Sequence, residues 1–158
     1  MTNLKTLGLC LICFSLCTFT VAQNKAPLNE PDMNKPRLFT NLPDQITFEV
    51  SELKNLLTTA NEAGKDITVS STDKKVAPIS GKVISAGSKY DNTIQTLNIR
   101  LTSFNNAMLT LSSFTQPDGT VSYTGRIISF THGDAYELQK KGDQYVLVKK
   151  NFNEIVNE

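Results

Sequence analysis

TLNIRL, residues 96–101, and AMLTLSSF, residues 107–114, constrain the fold more than any other stretch of this chain. In the first, Leu97, Ile99 and Leu101 point one way while Asn98 and Arg100 point the other. In the second, Leu109 and Leu111 oppose Thr110 and Ser112. A period of two belongs to a strand with one face buried and the other in water. ITFEV, ITVSS, SGKVISAGS, VSYTGRIISF, DAYELQK and QYVLVK read as further strands separated by short polar stretches. Gln116-Pro117-Asp118-Gly119 supplies a turn, because proline fixes one backbone angle and glycine accepts a positive one. Lys141-Gly142-Asp143 turns the last pair. Long helical crossovers of the kind a parallel sheet requires do not separate these segments, so they form an antiparallel meander.

SELKNLLTTANEAGK breaks the pattern. Leu53, Leu56, Leu57 and Ala60 recur at offsets of zero, three, four and seven, which lines up one apolar face of a helix. Ser51 is placed to cap its start and Gly64 to end it. A helix of about three turns is marginal alone, so it should lie against the sheet. NFNEIVNE predicts a second, shorter helix, with Asn151 and Glu154 capping each other and Phe152, Ile155 and Val156 packing back. The expected fold is therefore mainly β with α+β character. It is one antiparallel β-meander or partly closed, barrel-like sheet, packed by an amino-terminal amphipathic helix and a short carboxyl-terminal one.

The amino-terminal region reads differently. MTNLKTLGLCLICFSLCTFTVAQ carries Lys5, an apolar run too short to span a bilayer, and small residues at Thr20 and Ala22. Residues 1–22 are thus expected to be a signal peptide cleaved before Gln23. Residues 23–45 hold Pro27, Pro31, Pro36 and Pro43 among polar side chains, a composition that predicts an extended or disordered tether. Leu38 and Phe39, near its end, are expected to pack on the domain. Residues 46–158 form the expected single small β-rich domain.

The compartment follows from the leader: exported, either extracellular or periplasmic and envelope-associated. Cys10, Cys13 and Cys17 all lie in the leader, so the mature chain relies on its core and backbone pairing rather than disulfides. Leu9, Ile12 and Leu16 precede them, not the small residue that lipid attachment requires. Losing Lys5 reduces sixteen basic residues to fifteen, which balance fifteen acidic ones. Without a field of one sign, nucleic acid is not an expected partner. An envelope or secreted protein is, and the processed chain needs no membrane span.

Candidate chemistry centres on Thr131-His132-Gly133-Asp134, which holds the chain's one histidine. Glycine permits a sharp reversal, so His132 is expected at a hairpin tip. Histidine exchanges protons near neutral pH, and Asp134 would orient it if the two side chains converged. A hydrolase would add a serine, with Ser85, Ser103, Ser112 and Ser129 available by residue type alone, but no GxSxG elbow occurs. One histidine with Asp118, Asp134 or Glu137 falls short of a zinc ligand set, and neither HExxH nor a calcium loop occurs. No cofactor and no metal are expected. Arg100 and Arg126 are candidate binding residues, able to grip a partner's carboxylate or to pair with Glu137 or Asp134. Tyr136 and Tyr145 are the candidate aromatic contacts, packing first and recognition second.

SGKVI, NIRL, TGRII and DQYVLVK, within residues 79–149, resemble the β-rich prodomains of secreted metalloproteases. There, short strands carry a Gly-x-Val/Ile element before a tyrosine-containing strand. The resemblance implies a protease-inhibitory or protease-partnering role. The cysteine that many such prodomains use to cover zinc is missing from this region. The expected function is a small exported binding or accessory protein without catalysis. The alternatives are the prodomain-like role and a secreted hydrolase using His132 and Asp134.

Overall fold

The computed structural model of the chain describes residues 34–60, 62–74 and 76–156. The expected leader, the first part of the tether and the side chain of Val156 lie outside the described residues. Eight strands, β1 (Gln45–Phe48), β2 (Asp66–Val69), β3 (Ile79–Lys89), β4 (Ile94–Leu101), β5 (Met108–Thr115), β6 (Val121–Ile128), β7 (Asp134–Lys141) and β8 (Gln144–Asn151), form one sheet. Every pairing is antiparallel, in the order β1-β8-β7-β6-β5-β4-β3-β2, and the sheet curls into a half-barrel. The mainly antiparallel β architecture expected from the alternating strands is the architecture observed.

Curling brings the apolar sides of the strands together. Leu97 and Ile99 of β4 face Leu111 and Leu109 of β5 across the ladder, and Leu138 of β7 faces Leu147 of β8. All belong to one core with Ile46, Phe48, Val83 and Ile127. β1 and β2 are the two edges of the sheet, and helix α1 (Val50–Thr59) carries the chain from one edge to the other. Thr72, just past β2, bonds back to β1: its amide and its hydroxyl both donate to the Thr47 carbonyl, at 3.0 and 3.1 Å.

Leu53 and Leu56 of α1 are buried in the core, Ala60 follows them in, and Leu57 is half-buried. The ends of α1 differ from expectation. Ser51 does not cap it: the helix starts one residue earlier, Glu49 is the extended residue before it, and no side chain caps the first turn. Gly64 does not end it either. Ala60 leaves the helical conformation because its methyl is drawn onto the core, while its amide still reaches the Leu56 carbonyl at 3.0 Å. Lys65 Nζ donates to the free Thr59 carbonyl at 2.7 Å, supplying a partner that glycine capping would otherwise provide. Gly64, with φ of +87°, instead shapes the turn into β2 and donates its amide to Val83 O at 2.8 Å.

Residues 35–44, expected to be the end of the tether, form a strap across one end of the half-barrel. Its prolines exclude a ladder, so the strap is held by other means. Phe39 is only 1% exposed and lies edge-on to Tyr136 and Phe104, with ring centres 5.1 and 5.5 Å away. The Leu38 and Phe39 amides donate to the two oxygens of Asp134 at 2.6 and 2.8 Å. Proline lacks an amide but keeps a carbonyl. Pro36 O accepts the Gly133 amide at 2.9 Å, and Pro43 O accepts the Tyr136 hydroxyl at 2.5 Å. Packing thus begins before residue 46, as Leu38 and Phe39 suggest. At the other terminus, helix α2 (Phe152–Val156) buries Phe152, and Asn151 Nδ2 donates to Glu154 Oε1 at 2.7 Å.

Candidate functional site

His132 occupies the β6–β7 connection, as its neighbours predict, but it does not meet Asp134 in a hydrogen bond. His132 Nδ1 lies 2.7 Å from the Ser129 hydroxyl and 3.0 Å from that of Thr131. The His132 amide donates to Ser129 O at 3.1 Å, closing a four-residue turn. Asp134 is 3% exposed, and both of its oxygens are committed to the strap amides. The histidine therefore knits a turn, while the aspartate anchors a neighbouring segment. Of the four candidate serines, only Ser129 meets the imidazole, and its hydroxyl is shared with Thr131 in the same turn.

The candidate aromatic contacts are core residues. Tyr136 is fully buried, and its hydroxyl is pushed well above the usual tyrosine value, first by burial and then by the charges of Asp44 and Asp134. Tyr145 is also buried, edge-on to Tyr123 at 5.3 Å, and its hydroxyl accepts the Tyr123 amide at 3.1 Å. Neither ring offers a face to a partner. Both arginines are exposed on the outer side, but β5 separates their strands. Arg100 stands between Lys82 and Met108 in the ladder. Arg126 stands opposite Glu137, yet the described residues give its guanidinium no ion pair or hydrogen bond. Gln139 Nε2 instead donates to Glu137 Oε2 at 2.6 Å.

Arg126 belongs to a polar row on the outer face. Ser85, Asn98, Thr110, Arg126 and Glu137 follow one another across five strands by ladder register. Thr110 donates its hydroxyl to Asn98 Oδ1 at 2.9 Å, and Asn98 Nδ2 donates to Ser85 Oγ at 3.0 Å. A second row holds Thr96, Ser112 and Thr124, with the first two hydroxyls 3.1 Å apart. Ile155 of α2 borders both rows near the point where the first reaches Glu137 of β7. The result is a groove of about 400 Å³ bounded by Thr110, Ser112, Thr124, Arg126, Glu137 and Ile155.

The interior of the half-barrel offers no comparable space. Phe48, Leu53, Leu56, Leu111 and Leu147 surround a cavity of only about 20 Å³, because the α1 leucines fill the rest. That is room for about one water and too apolar to hold it. A second outer cleft, of about 310 Å³, lies beside the strap. It sets Arg37, Lys149 and Lys150 against Asp44, Asp134 and Glu154, and Lys149 lies 3.5 Å from Asp44. Charges there answer each other, whereas Arg126 shares its groove with Glu137 but, among the described residues, forms no ion pair with it. Among the described residues, no group of three or more histidines, cysteines or carboxylates is placed to hold a metal. Among them too, no helix is long and apolar enough to cross a membrane.

Comparison with known proteins returns no matching family model, no curated relative and no solved structure. The site is therefore described by its own chemistry. Sequence pattern identifies Arg126 as a candidate and puts Thr110 and Ser112 on a polar face. It does not show that Thr124 and Ile155 complete a groove with them, because that depends on ladder register and on where α2 folds back.

Proposed function

We propose that the chain is a small exported binding or accessory module without catalysis, acting on an envelope or secreted partner through the Arg126 groove. The observation that carries this reading is the exposed guanidinium. It stands on a strand beside Thr110, Ser112 and Thr124, and among the described residues no carboxylate, Glu137 included, forms an ion pair with it. A planar five-donor group held this way is suited to a carboxylate or another planar anion. Strand placement favours recognition, since the groove is set by the ladder rather than by a mobile loop. Export rests on the leader: an apolar run behind Lys5, followed by small residues before Gln23. The roles of His132 in a turn and Asp134 under the strap support a non-catalytic reading.

The test is chemical protection of Arg126. Arginine-selective phenylglyoxal should label Arg126, and a simple dicarboxylate such as glutarate should slow that labelling more than labelling of Arg100. Arg126→Gln should leave the circular dichroism spectrum unchanged. Equal protection of both arginines, or none, overturns the reading. Mass spectrometry of the exported protein should show a chain beginning at Gln23, and retention of residues 1–22 would count against export by cleavage.

A further inference from the structure

Charge is distributed differently on the outer face than along the chain, where sixteen basic residues stand against fifteen acidic ones. Strands β3, β4, β5 and β6 contain no aspartate or glutamate, and their bases are Lys82, Lys89, Arg100 and Arg126. All of these are exposed, and the ladder puts them on the outer side. Lys82 stands opposite Arg100, Lys89 opposite Ile94 and Arg126 opposite Thr110, at positions that alternate with the buried Leu97, Ile99 and Leu111. Carboxylates occur only at the margins of this face. Asp66 of β2 lies 3.5 Å from Lys82, Glu137 of β7 stands opposite Arg126, and Asp91 and Asp118 lie in hairpin tips.

Two clefts open on this face. Besides the Arg126 groove, one of about 410 Å³ is bounded by Gly87, Ser88, Lys89, Tyr90, Ile94 and Thr96. Gly87 leaves its floor open, since a Cβ there would meet nothing within 4 Å. Thr96 borders this cleft and Ser112 the other, and their hydroxyls lie 3.1 Å apart, so the hydroxyl row joins the two. A cation stands at each end, Lys89 on β3 and Arg126 on β6. Three strand spacings of about 4.8 Å separate those strands, about 14 Å in all. Aromatic rings gather at the Lys89 end. Tyr90 is 74% exposed and holds a φ of +52°, a strained angle for a bulky side chain. Phe114 is 44% exposed and stands opposite Ile94.

Resting on the groove reading, we propose that the ligand is an acidic oligosaccharide, a chain of uronic-acid sugars lying across β3–β6 from Tyr90 to Arg126. Its carboxylates meet the Lys89 ammonium and the Arg126 guanidinium, and its ring hydroxyls meet Thr96, Ser112 and Thr124. The apolar side of a sugar ring rests on Tyr90. Chemistry selects this class over other polyanions. Nucleic acid carries a phosphate at every nucleotide, whereas Ser85, Thr96, Asn98, Thr110, Ser112 and Thr124 outnumber the bases of this face. An acidic peptide has the carboxylates but lacks the hydroxyls that such rows can pair with. Glu137 marks the end of the track, because a carboxylate placed beyond Arg126 would meet its charge.

The probe is tetragalacturonate, titrated by isothermal calorimetry against the purified full-length chain. It should bind, and added salt should weaken the binding. Its methyl ester keeps the ring hydroxyls without the charges and should bind at least about tenfold more weakly, as should the free acid on Arg126→Gln. Lys89→Gln and Tyr90→Ala should each lose about threefold, the scale of an exposed ion pair or ring contact. Lys150→Gln, in the cleft beside the strap, should bind like the wild type. Equal binding of acid and ester, or indifference to both Lys89→Gln and Tyr90→Ala, overturns the proposal. So does equally tight binding of tetraglutamate or of a thymidine oligonucleotide, since charge alone would then be recognised. If glutarate protects Arg126 while tetragalacturonate does not bind, the groove reading stands and the saccharide proposal fails. If neither depends on Arg126, both fail.

Discussion

Gly133 shows how one residue ties sequence to fold. Its sequence context suggests a positive backbone angle at a hairpin tip, but the positive-φ glycines are Gly64, Gly119 and Gly142. The constraint on Gly133 is space: a Cβ there would lie 2.8 Å from the Lys35 carbonyl of the strap. Gly133→Val should therefore destabilise the fold by about 1–3 kcal/mol, the scale of local strain. His132→Ala should keep the fold, with only its bonds to two turn hydroxyls lost. Thermal melts of both variants check this, and a tolerated valine would show that the strap does not hold its place. Tyr136 makes a second residue-scale prediction. Its hydroxyl ionises less readily folded than unfolded, where the ordinary value is 10.0. A raised value gives stability that is fully present below about pH 10 and lost as pH rises beyond it. The wild type should lose more stability than Tyr136→Phe between about pH 9 and about pH 11. Parallel denaturant titrations at the two pH values read the difference.

Among the elements, α1 was the most legible in type and the least in its ends. Offsets of three, four and seven identify the buried face, because a helix repeats every 3.6 residues whatever follows it. Its ends depend on the neighbours: the Ala60 methyl enters a core built by distant strands, and Lys65 supplies the last carbonyl's partner. Leu56→Ala should cost about 2–5 kcal/mol, as for other fully buried leucines. Leu57→Ala should cost less, since its side chain is half-buried. Equal, negligible losses in denaturant titration would reject the packing of α1. Strands were legible for a similar local reason, an alternation at every second residue. Pairing was less so. Nothing within DAYELQK or VSYTGRIISF announces that β6 and β7 pair in register at only two positions, or that the Tyr123 amide is met by the hydroxyl of Tyr145 from the next strand. Arg126 could be picked out by residue type, but its groove could not.

For the whole molecule, the informative mismatch is the strap. Pro36 and Pro43 signal the absence of regular pairing, and residues 35–44 join no ladder. They say nothing about packing, which Phe39, two proline carbonyls and the Asp134 carboxylate accomplish without a ladder. The strap also covers the end of the half-barrel where β4–β5 and β6–β7 connect, so Phe104 and Tyr136 share one aromatic cluster through Phe39. Emptying that position should leave a cavity that neither ring can fill, because each is fixed by its own strand or turn. Phe39→Ala should therefore lose about 3–5 kcal/mol, the usual range for a buried phenylalanine. Asp134→Ala should cost about 2–4 kcal/mol by leaving two strap amides without an acceptor. Both substitutions release the same segment, so together they should cost less than the sum of the two. A double-mutant cycle by denaturant titration measures that shortfall. Strict additivity would mean that Phe39 and Asp134 hold the chain independently, and that the strap does not act as one unit.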